Sequence, residues 1–187
     1  CLFGSKKHLM NELFEKKNLP FYKFGDAIYL AKIETKYWIE YICKRFENTG
    51  KHISPELAEE ICRLVDNHSS YVQQLSWLLW IRTINTATTE QLSYALEDLL
   101  DQNNILFQSE TENLSAYQMN FLKAIVDGIH TKFSSKEVIS KYNLGTSANI
   151  VRLKNALLQK ELIETNGKEI VLADPVFGVW FKKEMLY

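Results

Sequence analysis

The sequence predicts a mainly α-helical protein, a bundle of helices followed by a small helical domain that carries one β-hairpin. Three observations carry this. Glycine and proline are scarce, 7 and 3 in 187 residues, too few to supply the turns of an all-β sandwich. Hydrophobic residues make up 46% of the chain and recur at helical spacing in segments that open with capping residues. Near the C-terminus two short β-prone runs flank Asn166-Gly167, a strong local signal for a hairpin.

Residues 6–15 predict a short helix with Leu9, Met10 and Leu13 on one side, and "PFYKFGDAIYLAKI" (20–33) an extended segment. "TKYWIEYICKRFENTG" predicts a helix with Thr35 as N-cap, Trp38, Ile39, Ile42 and Phe46 on its inner face, and Gly50 at C′. In "ISPELAEEICRLV", Ser54 is the N-cap, Pro55 occupies N1 and Glu56 complements the helix dipole; Ala58, Ile61, Leu64 and Val65 face inward. "HSSYVQQLSWLLWIRTI" (68–84) is apolar nearly all round past Leu75, which predicts the central helix of its bundle. "TTEQLSYALEDLLDQNNILF" opens with Thr88 and Gln91 at capping-box spacing, with Leu92, Ala95, Leu96 and Leu99 inward. The polar, aperiodic "QSETEN" (108–113) is where the domain boundary is expected.

Beyond it, Ser115/Gln118 and Ser134/Glu137 are two further capping boxes, and Gly128 stops the first of these helices. A tight "NLGTS" turn leads to a helix with Ile150, Leu153, Leu157 and Leu158 as its core face. The hairpin follows, then a last helix capped by Asp174 with Pro175 at N1. Helix, helix, turn, helix, β-hairpin is the order of a winged helix. The expected domains are residues 1–33, a helical bundle over 34–107 and a winged helix over 114–187.

The chemistry is sparse. The net charge is −1, with 12 basic and 15 acidic residues up to position 110 and 10 against 8 after it, too weak an asymmetry to predict nucleic-acid binding alone. Cys1, Cys43 and Cys62 are odd in number and widely spaced, as expected of reduced thiols in a cytoplasmic protein without a zinc site. The run "LSWLLWI" (75–81) is far shorter than the ~20 residues of a membrane helix. Both Gly-Lys pairs fail as phosphate-binding loops: Gly50-Lys51 precedes His52, and Gly167-Lys168 precedes Glu169, where GxxxxGK[ST] is needed. His8, His52, His68 and His130 lack metal-ligand spacing, and Gly145-Thr146-Ser147 lacks the second glycine of a nucleophile elbow. By its own residues the chain is expected not to hydrolyse ATP.

The opening Cys1–Phe3 runs straight into Gly-Ser and reads like the tail of a buried strand, hence as part of a larger protein. At "FGSKKHLMNELFEKKNLPFYKFGDAIYLAKIETKYWIEYICKRFENTGK" and "LVDNHSSYVQQLSWLLW" the chain resembles the C-terminal part of archaeal- and Bacteroidetes-type AAA-like P-loop ATPases, which are related to the STAND and origin-recognition ATPases. The resemblance implies that 1–33 is a remnant of the ATPase core, 34–107 a helical lid and 114–187 a winged helix. Bound ATP and Mg would be held mainly by a P-loop domain upstream. Ser5 matches the end of the strand bearing the sensor-1 polar group. Asn67-His68-Ser69-Ser70 matches a "GHPYY" or "HP.YvQ" lid motif near the nucleotide, with His68 as the contact; Asn67 and Ser69 replace the usual Gly and Pro. Tyr71, Gln74 and Trp77 would pack the lid.

The expected function is a lid and winged-helix regulatory segment that couples nucleotide state to a partner, DNA or protein, without catalysis of its own. Asn149, Arg152 and Asn155 on the candidate recognition helix are of types that read base edges, and Lys168 is placed to meet phosphate. Glu161, Glu164 and Glu169 stand against a concentrated basic face. The alternative is a winged-helix transcription regulator with an N-terminal helical sensor domain.

Overall fold

In this computed structural model the described residues are 14, 17, 18, 21, 22, 28 and 30–186, Leu186 by its backbone only. The chain divides into two compact units, Cys1–Ala31 and Lys32–Tyr187. In the first, the Phe14 and Phe21 rings lie 6.1 Å apart between centroids. Ser5 and the expected helix over 6–15 fall outside the described residues, apart from Phe14, as does most of the expected extended segment.

The second unit is eight helices and one hairpin: α1 Thr35–Glu47, α2 Pro55–Leu64, α3 Ser69–Arg82, α4 Thr89–Glu112, α5 Ala116–Val126, α6 Lys136–Lys141, α7 Ser147–Gln159, β1 Ile163–Asn166, β2 Glu169–Leu172 and α8 Pro175–Leu186. The mainly α class with one hairpin, as expected, is what the chain forms.

The local signals act largely where the sequence puts them. α1 buries Trp38, Ile42 and Phe46. It ends with Lys51 N–H on the Phe46 carbonyl and Gly50 N–H on the Glu47 carbonyl, a Schellman closure that places Gly50 at φ +73°. Ser54 accepts from Leu57 N–H, and the Thr88/Gln91 and Ser115/Gln118 capping boxes both close. Asp174 Oδ1 accepts from the Val176 and Phe177 N–H groups at 2.8 and 3.0 Å. Two caps shift by one residue. Glu34, not Thr35, precedes α1. Ser135, not Ser134, caps α6 by accepting from Val138 N–H, so the expected box with Glu137 does not form.

α1, α2, α3 and the first half of α4 make the bundle. His52 bridges the α1–α2 loop to the α3–α4 loop, its N–H on the Asn85 carbonyl and its carbonyl accepting from Ala87 N–H. Arg82 meets Asp98 through two 2.7 Å hydrogen bonds, joining α3 to α4. α5, α6, α7 and the hairpin form the winged helix, and α8 closes it against α4, α5 and β2. The strands pair antiparallel from Ile163↔Leu172 to Asn166↔Glu169. The two-residue loop is therefore Gly167-Lys168, one position later than Asn166-Gly167, with Gly167 supplying the positive φ of +61°. Ile170 N–H donates to the His130 carbonyl, a third line of pairing on the hairpin. Gly178 lets α8 approach β2: a Cβ there would stand 2.7 Å from Leu172 Cδ1.

The largest departure is at 108–113. The stretch where the domain boundary is expected belongs to α4, which runs unbroken to Glu112 and buries Phe107 and Thr111. The Thr111 hydroxyl is spent on the Phe107 and Gln108 carbonyls, so the polar residues of this stretch cover a helix instead of solvating a loop. Buried residues from Trp38 to Phe181 belong to one contiguous core. Cys43 and Cys62 are unpaired thiols; burial pushes Cys62 up to about 11.

Candidate functional site

Polar chemistry gathers in three places: the turn before α3, the junction of α3, α4 and α8, and the outer face of α7 with the wing. The turn is built by the end of α2. Asn67 N–H reaches the Cys62 carbonyl at 2.9 Å and Asp66 N–H the Arg63 carbonyl at 3.3 Å. This puts Asp66 at φ +48° and Asn67 at +52°. Left-handed backbone costs a residue with a side chain about 1–2 kcal/mol, and side-chain tethers hold it here. Lys32 Nζ donates to the Asp66 carbonyl at 2.9 Å and lies 2.5 Å from its carboxylate. The Asn67 amide and Thr35 hydroxyl exchange hydrogen bonds of 3.0 and 3.2 Å. His68 then takes the N-cap position without capping through its side chain, and its ring lies 4.8 Å from that of Tyr71. His68, Ser69 and Ser70 are exposed around a helix start whose first N–H groups lack a side-chain acceptor. That donor set and the helix dipole both favour an anion.

In the first turn of α3, buried Tyr71 donates its hydroxyl to Asp174 Oδ2 at 2.5 Å, across 103 residues of sequence. The same carboxylate caps α8 through Oδ1. Asp174 thus joins the bundle to the closing helix of the winged domain. Burial pushes the Tyr71 phenol up, and the hydrogen bond to Asp174 and its charge add to this. Glu110 on α4 is also raised, by burial and then by the Asp174 charge. Beside this polar contact, Phe107 of α4 meets Phe177 and Trp180 of α8 at 5.4 and 5.5 Å, and Trp180 Nε1 donates to Asn104 Oδ1 at 2.8 Å. Sequence reading recognised Asp174 as a cap, but nothing local to it marks Tyr71 as its second partner.

On α7, Ile150, Leu153 and Leu157 are buried as expected. Arg152 and Asn155 are exposed on the opposite side, and Lys168 is exposed at the wing tip. Asn149 differs: its Nδ2 donates to the Leu144 carbonyl at 3.0 Å, so its amide braces the turn entering α7. Of the residues expected to pack the lid, Tyr71 is buried. Gln74 is exposed and bonds Ser70 Oγ, and Trp77 is exposed by 56%, because no helix among the described residues covers the side of α3 that it occupies. Among the described residues no three His, Cys, Asp or Glu side chains converge to hold a metal ion, and no helix is long and apolar enough to cross a membrane.

This architecture defines a class: a helical bundle fused through one continuous helix to a winged helix. Residues 105–183 match the family model described as "Probable winged helix domain". Among solved structures, the Walker-type ATPase PABY2304 of Pyrococcus abyssi shares the fold, with a TM-score of 0.67 at 17% sequence identity; the alignment covers 93% of this chain and 50% of that one. The chain therefore spans about half the length of that solved chain. No curated protein matches it.

Proposed function

We propose that this chain is the C-terminal regulatory segment of a P-loop ATPase of the AAA-like type, passing nucleotide state from the turn at His68 to the winged helix and on to a partner. The observation that carries this reading is the Tyr71–Asp174 hydrogen bond. It links the first turn of α3, beside His68, to the cap of the helix that closes the wing. The half-length superposition on a Walker-type ATPase supports it, since the remainder of that chain leaves room for a nucleotide-binding domain. The α3 start, with its exposed hydroxyls and N–H donors, fits a phosphate group in sign and donor chemistry. When bound, ATP would supply that phosphate. Mg would be held mainly by residues of the upstream P-loop domain. In the full-length gene product, hydrogen exchange with and without a non-hydrolysable ATP analogue tests the reading. Protection should change at 65–72 and again at 162–186. A change confined to residues upstream of α1, or none, refutes it.

DNA is the second reading of the partner, and Arg152 and Asn155 favour it: both are exposed on one face of α7, and Arg152 makes no ion pair among the described residues. A duplex shift assay at low salt decides, because phosphate attraction is strongest there.

A further inference from the structure

α3 is apolar on more sides than the bundle can cover. Trp77 and Ile81, four residues apart on α3, are exposed by 56% and 52%. Across from them Ile33, just before α1, and Tyr37 and Tyr41 on α1 repeat at the same interval and are 43%, 55% and 42% exposed. Between the two rows runs an open groove, about 360 Å³ at the Ile33–Tyr37 end and about 440 Å³ at the Trp77–Trp80 end, with Tyr41 and Gln73 lining both. It runs along α1, Thr35–Glu47, roughly 18 Å at 1.5 Å per residue. That is the length of a short helix and too long a trench for one small molecule.

Two further observations fall in the same place. Trp38 Nε1 and Ser76 Oγ are the buried side-chain polar atoms without a hydrogen-bond partner among the described residues, and both residues line this groove. Trp38 is 5% exposed, and an indole N–H shielded from water normally finds an acceptor. The charge is one-sided as well. Arg45, stacked over Tyr41 at 5.2 Å, lines the groove, and among the described residues no carboxylate does. Lys51 lies at the same end, 4.0 Å over the Trp80 ring.

We propose that the α1–α3 groove docks an amphipathic helix of a partner polypeptide, apolar toward Tyr37, Tyr41 and Trp77 and acidic where it meets Arg45 and Lys51. Helix-in-groove recognition needs the features present here: apolar rows at i, i+4 spacing and a complementary charged end. This inference does not depend on nucleotide coupling.

The test titrates the full-length protein with two 16-residue amphipathic peptides. Both carry Leu and Phe at i, i+3, i+4 and i+7; one is flanked by Glu and the other by Lys. Binding is read by tryptophan emission and by amide shifts. The Glu peptide should saturate and shift residues 33–49 and 73–81, and the Lys peptide should bind at least about tenfold more weakly. Trp77→Ala should weaken the Glu peptide by about tenfold or more. Arg45→Glu should abolish the preference between peptides, and both variants should keep the parent's melting temperature because these side chains are exposed. Equal affinity for the two peptides overturns the proposal, as do shifts elsewhere. So does sedimentation of the unliganded protein as a dimer that Trp77→Ala dissociates, which would make a second copy the occupant.

Discussion

Replacing Tyr71 by Phe removes one oxygen atom from the only hydrogen bond described between α3 and the cap of α8. The bond is 2.5 Å long, its donor is buried and its acceptor is a carboxylate. Hydrogen bonds to charged groups contribute about 1.5–3 kcal/mol. The ring of Phe refills most of the space, so loss of the bond should dominate and Y71F should lose about 2 kcal/mol. For a chain of this length that lowers the melting temperature by about 4–8 °C. The interaction itself is isolated by a double-mutant cycle with Asp174→Asn. Asn retains the oxygen that caps α8 but puts an NH2 donor where Oδ2 accepts from Tyr71. Urea unfolding of the parent, both single variants and the pair should give a coupling of at least about 1 kcal/mol. A coupling below about 0.3 kcal/mol would show that the two residues are independent, and the route from His68 to the wing would lose its central link.

Glu110 gives a pH signature. Burial and the Asp174 charge hold its carboxyl above the ordinary range, so the folded chain binds that proton more tightly than the unfolded one. Its contribution to stability is therefore complete below the ordinary Glu range near pH 4 and is lost as pH rises through the raised value; E110Q should be more stable than the parent at pH 7 and equal to it at low pH in thermal melts. Phe107→Ala empties the contact with Phe177 and Trp180 and should cost about 3–5 kcal/mol in chemical denaturation. Asn149→Ala should cost about 1 kcal/mol by freeing the Leu144 carbonyl, whereas exposed Arg152→Ala should change stability by less than about 0.5 kcal/mol. If α7 meets DNA, only R152A lowers affinity in a shift assay without lowering the melting temperature.

What the sequence makes legible here is what is decided within a few residues. Ser54-Pro55, Thr88/Gln91, Ser115/Gln118 and Asp174-Pro175 each set a helix start through contacts three positions long, and each forms. The misreadings arise where distant packing decides. "QSETEN" looks like a break between domains because it carries no apolar stripe of its own, but α8 arrives from some 70 residues away to pack Phe177 and Trp180 on Phe107, and the helix continues to Glu112. Trp77 looks like core because its helix is apolar all round, yet α1, α2 and α4 cover only part of α3. Asn149 has the side chain of a base reader, and a carbonyl five residues earlier claims it. Tyr71 and Asp174 meet across 103 positions, a pairing that no local pattern encodes.

The unbroken α4 constrains how any signal can pass. A winged helix on a flexible tether could swing, and residues 108–113 would be its hinge. Here a swing would pull Phe177 and Trp180 of α8 away from Phe107 and expose three aromatic rings of about 150–250 Å² each. At about 25 cal/mol per Å² that costs on the order of 10 kcal/mol, more than the differential binding of an allosteric ligand commonly supplies. Bundle and wing should therefore move as one body, with change between them limited to local contacts such as Tyr71 with Asp174. A dye pair on exposed Glu59 of α2 and Lys168 of the wing reads this directly. Energy transfer between them should stay constant when nucleotide is added to the full-length protein, while exchange at the Tyr71 turn changes. A nucleotide-dependent change in that distance would mean that α4 bends or that α8 detaches, and the one-body account would be wrong.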